Sequence, residues 1–132
     1  MLISTNGIGD LYFGIEEMPI FAQRGKREDW LDICSILEDS AMFSACRKRG
    51  VAAALVDIDI QGGPILIRTA VSGPRYGEEC HWTEGKCPSC IHAEIRLCLA
   101  PTDVIVVTRR PCISCSEAIM AIGIRHIWVI LS

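Results

Sequence analysis

Four side chains in this sequence have the types and spacing to do chemistry together. His92 and Glu94 lie on one short segment, and Cys112 and Cys115 follow on another. An imidazole and two thiolates are three ligands for a tetrahedral Zn²⁺ ion, and a catalytic zinc site keeps its fourth position for water. Zinc lowers the pKa of such water to about 7, which makes hydroxide available near neutrality. Glu94 is then a spare carboxylate beside the ion. It can take a proton from water, pass it to a ring nitrogen and later protonate a departing amine. The chemistry implied is hydrolysis at an amidine-like carbon. A closed structural site with a fourth Cys is the competing reading, but it needs neither Glu94 nor the Pro111 that precedes Cys112.

The elements that carry these residues follow from apolar periodicity. Trp30, Leu31, Cys34, Leu37, Ala41, Met42 and Ala45 recur at helical steps, predicting a helix over Asp29–Arg49 with a division at Asp39-Ser40. Gly50 is its stop. Val51–Ile60 and Ile65–Ser72 read as an antiparallel hairpin around Gln61-Gly62-Gly63-Pro64. Gly73–Cys90 is a long loop, a length that usually carries function. A helix over Ile91–Leu99 ends before Pro101, and Val104–Thr108 is a buried strand. Cys112–Ile122 is a helix stopped by Gly123, and Ile127–Leu131 is another buried strand. Cys112 and Cys115 share one face of that helix's first turn. Pro111 suits its start, and the positive end of the helix favours thiolate. Strand–helix–strand implies parallel pairing. Together these predict an α/β protein with a mixed central sheet. Residues 1–28 form an N-terminal arm without steady periodicity: a lead-in, a short strand or a segment that packs on another subunit.

The 132 residues make one domain, residues 1–132, with 50% hydrophobic and 22% charged side chains. A net charge of −3 and a pI near 5.6 argue against a nucleic-acid partner, which would need a basic face, and for a small substrate. No apolar run is long enough to span a membrane, and the N-terminus lacks the pattern of a secretory signal. Eight Cys beside metal-ligand spacing read as ligands and buried thiols of a cytoplasmic protein rather than as a disulfide scaffold. Cys34 and Cys98 fall on apolar helix faces and read as core.

Ordered His-x-Glu and Pro-Cys-x-x-Cys, each opening a helix with a strand between, match the signature of zinc deaminases that act on nucleobases. From about Asp29 onward the chain resembles the cytidine/deoxycytidylate deaminase superfamily, and within it the deoxycytidylate (dCMP) deaminases. The resemblance rests on Ser44-Ala45-Cys46 with Arg47-Lys48-Arg49-Gly50-Val51-Ala52-Ala53, on Pro74-Arg75-Tyr76-Gly77, on Thr108-Arg109-Arg110-Pro111-Cys112-Ile113-Ser114-Cys115, and on Ile122-Gly123-Ile124-Arg125-His126-Ile127-Trp128-Val129. It implies a three-layer α/β/α cytidine deaminase-like fold, a zinc held by His92, Cys112 and Cys115, Glu94 as the catalytic acid and base, and a homo-oligomer.

The chain departs from the family's pattern twice. The family's Asn at the end of the second strand is missing, the local sequence being Ala70-Val71-Ser72-Gly73, so that Ser72 is the candidate substitute. The chain also ends after its fourth strand, leaving an edge whose covering would favour oligomerisation. Some dCMP deaminases are similar in carrying a second, structural zinc, for which Cys46, Cys80, Cys87, Cys90 and His81 supply ligands here. Arg75, Arg109 and Arg110 are candidates for a substrate phosphate, because guanidinium suits bidentate phosphate contacts. The function expected is deamination of a pyrimidine nucleotide, dCMP to dUMP with release of ammonia. Two alternatives stay open: deamination of a nucleic-acid or pterin-like base, and a non-catalytic zinc-stabilised module.

Overall fold

The computed structural model describes residues 2–5, 10–13, 27–46, 50–74, 79–80 and 90–130. Its elements, in chain order, begin with β1 (Leu2–Thr5), β2 (Asp10–Phe13), α1 (Arg27–Met42), β3 (Ala52–Ile58) and β4 (Pro64–Val71). They continue with β5 (Gly73–Pro74), β6 (Cys90–Ile91), α2 (Ala93–Arg96), β7 (Val104–Val107), α3 (Ile113–Ile122) and β8 (His126–Ile130). The main sheet runs β2-β1-β8-β7-β3-β4, and β5 with β6 forms a separate small ribbon. Among the described residues only β7 and β8, joined through α3, pair in parallel, so the sheet is mixed as expected. Among the described residues no helix is long and apolar enough to cross a membrane.

Why the central strands read as unbroken apolar runs is plain from the packing. Side chains alternate across a strand, so a strand buried on both faces needs apolar residues at every position. Ala52, Ala54 and Val56 of β3 join Trp30, Ile33 and Leu37 of α1 in one core. Ala53 and Leu55 join Ala93, Leu97 and Ile119 in the other. Helices therefore cover both faces of the sheet. On the α1 side the indoles of Trp30 and Trp128 lie 4.9 Å apart at 55°, beside the small side chains of β3. Trp30 Nε1 also donates to the Gly62 carbonyl at 2.9 Å, tying the helix to the β3–β4 turn.

Several boundaries differ from the sequence expectations. α1 is undivided: Ser40 Oγ donates to the Ile36 carbonyl at 2.7 Å, so the polar pair is satisfied without a break. The helix begins at Arg27, two residues before the expected Asp29, which puts Glu28 and Asp29 in its first turn as favourable acids. Its end lies at Met42, and Gly50 packs there, since a Cβ on Gly50 would run into the Ala41 carbonyl. The helix expected over Ile91–Leu99 shrinks to Ala93–Arg96. Cys98 ends it in the left-handed region with φ 52° and is exposed, not core. Periodicity misplaced it because the helix stops before the turn that would carry Cys98 inward. Cys34 does pack against the α1-side core, and burial, followed by the charge of Glu38, pushes its thiol up to about 11.

The N-terminal arm holds two strands, and β1 pairs antiparallel with β8, Leu2 opposite Ile130. The β8 edge is thus covered by the chain itself. The argument for a homo-oligomer from an open edge there does not hold, because β1 already satisfies that row of backbone groups.

One end of the sheet matters for function. Ala52 of β3 faces Val71 of β4, and Ala53 faces Val107 of β7, so β4 and β7 finish where β3 begins. Thr108 extends the ladder, with its N–H donating to the Ala52 carbonyl and its Oγ1 accepting from Ala52 N, both at 3.0 Å. Gly73 opposite Ile91 and Pro74 opposite Cys90 bring the β6 segment to the same end.

Candidate metal and active site

At that end the chain leaves β7 through Arg109 and Arg110 and enters α3. Cys112 is the N-cap, with extended backbone (φ −67°, ψ 169°) and a thiol accepting from Cys115 N at 3.4 Å. This fixes Cys112 and Cys115 on one side of the first turn, as their spacing predicts. At the far end Gly123, at φ 95°, closes α3 with N–H bonds back to its last turn, a conformation few other residues adopt without strain. His92 occupies the residue before α2, and its carbonyl accepts from Ile95 N and Arg96 N at 3.1 Å.

His92 Nδ1 stands 3.3 Å from Cys115 Sγ and 3.6 Å from Cys112 Sγ. A single ring nitrogen offers one proton or one lone pair, so it cannot serve two thiols well by hydrogen bonding. Zinc–sulfur and zinc–nitrogen bonds set at tetrahedral angles put nitrogen and sulfur about 3.6 Å apart. The three ligand atoms lie within 4.8 Å of one another and could hold a metal ion. Burial, then the hydrogen bond with Cys112, then the negative charge of Glu94 push the Cys115 thiol up to about 12. The helix end alone does not make this thiolate; a cation between the ligands is what would hold it deprotonated.

Glu94 is only 3% exposed and interacts with the Cys115 thiol. It shares with His92 and Cys112 a cavity of about 280 Å³, towards the small end of ligand pockets. Ser72, Arg109 and Arg110 also line this cavity. The structure therefore gathers His92, Glu94, Cys112, Ser72 and Arg110 around one space, with Cys115 beside His92 and Cys112 but not on its wall. Arg75, the other expected phosphate ligand, lies outside the described residues. His126 stands apart at the start of β8, and burial lowers its pKa.

Ser72 is less available than a substitute substrate ligand should be. Its Oγ accepts from Val51 N at 2.9 Å and lies 3.2 Å from Ser44 Oγ. Ser44 Oγ donates to the Ser72 carbonyl and accepts from Cys46 N at 3.1 Å. Ser44 is the hub of this network, a positioning role that its residue type alone does not announce. Its signal was its place two residues before Cys46, at the exit from a helix.

A second group of ligands assembles nearby. The thiols of Cys46, Cys80 and Cys90 also lie within 4.8 Å of one another and could hold an ion. Cys80 is buried, and Cys46 and Cys90 are half-buried. His81 and Cys87, the other expected ligands of this group, lie outside the described residues. No protein-family model matches the chain, and no curated protein matches it either.

Proposed function

We propose that this protein is a zinc-dependent hydrolase that deaminates a pyrimidine nucleotide, dCMP to dUMP with release of ammonia. The observation that carries the reading is one imidazole nitrogen shared between two thiols, with a buried carboxylate on the same cavity wall. A zinc ion bound by His92, Cys112 and Cys115 supplies the acidity that makes water nucleophilic near neutral pH. Glu94 accepts the proton of the attacking water and gives it to the ring nitrogen beside C4. Once the C4–O bond has formed, the same carboxylate takes the remaining proton from the new C4 hydroxyl and delivers it to the amine as the C4–N bond breaks, leaving C4=O and ammonia. Burial of Glu94 keeps bulk water from competing for that proton. Arg109 and Arg110 at the cavity suit the phosphate of a nucleotide. A second, structural zinc at Cys46, Cys80 and Cys90 belongs to the same reading.

One observation favours a different base. The Ser72 hydroxyl is engaged by Val51 N and Ser44, and no side-chain amide with which to hold a sugar lines the cavity among the described residues. A nucleic-acid or pterin-like base without that requirement is the second reading.

Ammonia release from dCMP, dCTP, CMP, cytidine and single-stranded oligonucleotides separates the readings. dCMP is expected to react fastest, and activity confined to oligonucleotides would replace the first reading with the second. Glu94→Ala is expected to cut turnover by at least about 10²–10⁴-fold while keeping the metal and the fold. An unchanged rate in that variant contradicts the mechanism. An inactive wild type that holds zinc points to the non-catalytic module.

A further inference from the structure

Two of the three thiols in the second cluster belong to the catalytic cavity. Cys46 and Cys90 line it together with His92 and Glu94, whereas Cys80 is buried and is not among the described residues of its wall. The cluster joins three segments distant in sequence: the exit from α1, the stretch after β5, and β6. Cys90 lies two residues before His92, and Ile91 between them pairs with Gly73. The position of Cys90 therefore sets where the His92–Glu94 segment begins. Cys46 is held from the other side, since its N–H donates to Ser44 Oγ and Ser44 donates to the Ser72 carbonyl of the same wall.

Resting on the deaminase reading, we propose that a thiophilic divalent cation of the zinc class, bound by Cys46, Cys80 and Cys90, positions the catalytic cavity, so that occupancy of this site and nucleotide binding are coupled. Three thiolates this close repel one another unless a cation lies between them, and with it they act as a crosslink of three chain segments. Removing the crosslink loosens two walls of the cavity while His92, Cys112 and Cys115 keep their own ion. Coupling of this kind is reciprocal: whatever factor the cation adds to nucleotide affinity, the nucleotide adds to cation affinity.

The test begins with Cys80→Ser in the full chain, which removes a ligand without altering the residues that line the cavity. Zinc content is expected to fall from two ions per chain to one, as the two clusters predict. KM for dCMP is expected to rise at least tenfold, with a smaller change in kcat, while Cys98→Ser, at an exposed thiol outside both clusters, changes neither. Loss of one zinc with KM unchanged, or retention of both, overturns the proposal. If Cys80→Ser does not fold, the same coupling is read in the Glu94→Ala chain, where turnover is blocked. Zinc affinity of the second site, measured by competition with a chromophoric chelator, is expected to tighten at least tenfold when dCMP is present. Equal affinity with and without dCMP overturns the proposal. A wild type that deaminates dCMP without coupling defeats this inference alone, whereas one that neither binds nor deaminates any nucleotide defeats the deaminase reading and this inference together.

Discussion

The His92, Cys112 and Cys115 cluster and the Cys46, Cys80 and Cys90 cluster place their ligand atoms within the same 4.8 Å, yet they are assembled differently. In the first, two ligands share one helical turn and the third precedes another helix, all at the end of a sheet whose central strands β3, β7 and β8 are buried. In the second, each ligand comes from a separate segment, and the segments meet through short backbone pairs and the Ser44–Ser72 network. Regular elements fix the first geometry before any ion arrives. The second lacks that scaffold and would rely on a bound ion to hold it together. On the proposed reading, ligands of similar chemistry would serve as a reactive centre in one place and as a brace in the other, according to what positions them.

The sharpest way to break this comparison is His92→Ala. It removes one ligand of the helix-borne cluster and is expected to lower turnover by at least about 10⁴-fold, beyond the acid–base share of Glu94 alone. One zinc per chain is expected to remain, on Cys46, Cys80 and Cys90. Metal analysis that finds both ions gone would show that the two clusters do not form independently.

A smaller effect concerns pH. With its thiol pushed up to about 12, chiefly by burial, Cys115 carries its proton near neutrality when no ion is bound. Ion binding must displace that proton, so raising the pH favours binding. The apparent zinc affinity of the helix-borne cluster is expected to increase about tenfold per pH unit for each proton displaced, between about pH 6 and pH 8. Chelator competition across that range measures it, and a flat profile contradicts a ligand set that includes the Cys115 thiolate.

How the two clusters were legible in the sequence follows from the same contrast. Cys112 and Cys115 could be placed because three residues along a helix make a fixed geometry, and Pro111 marked where that helix starts. Buried β7 and β8 were legible as apolar runs, and their parallel pairing followed from the helix between them. Cys46, Cys80 and Cys90 could be named as soft ligands, but nothing in their spacing dictated that they meet, since long-range pairing such as Pro74 with Cys90 decides it. The pairing of β1 with β8 was equally hidden, because Leu2–Thr5 is too short for its periodicity to tell. The four-residue extent of α2 escaped as well: the apolar pattern runs on to Leu99, and only the left-handed turn at Cys98 ends the helix.

That turn gives the smallest expected effect. Cys98 is exposed and pays for a φ of 52° that glycine adopts freely. Cys98→Gly is expected to stabilise the fold by up to about 1 kcal/mol, read by denaturant unfolding, with metal content unchanged. Destabilisation would mean that the Cys98 side chain contributes more than its backbone costs.

On the proposed reading, an ion at His92, Cys112 and Cys115 keeps one vertex free of protein. X-ray absorption at the zinc edge on Cys80→Ser, which carries only the catalytic cluster, measures this directly. Two sulfurs at about 2.3 Å, one imidazole nitrogen at about 2.0–2.1 Å and one further light atom from water are expected. A third sulfur, or a second imidazole, would close the site and contradict that reading.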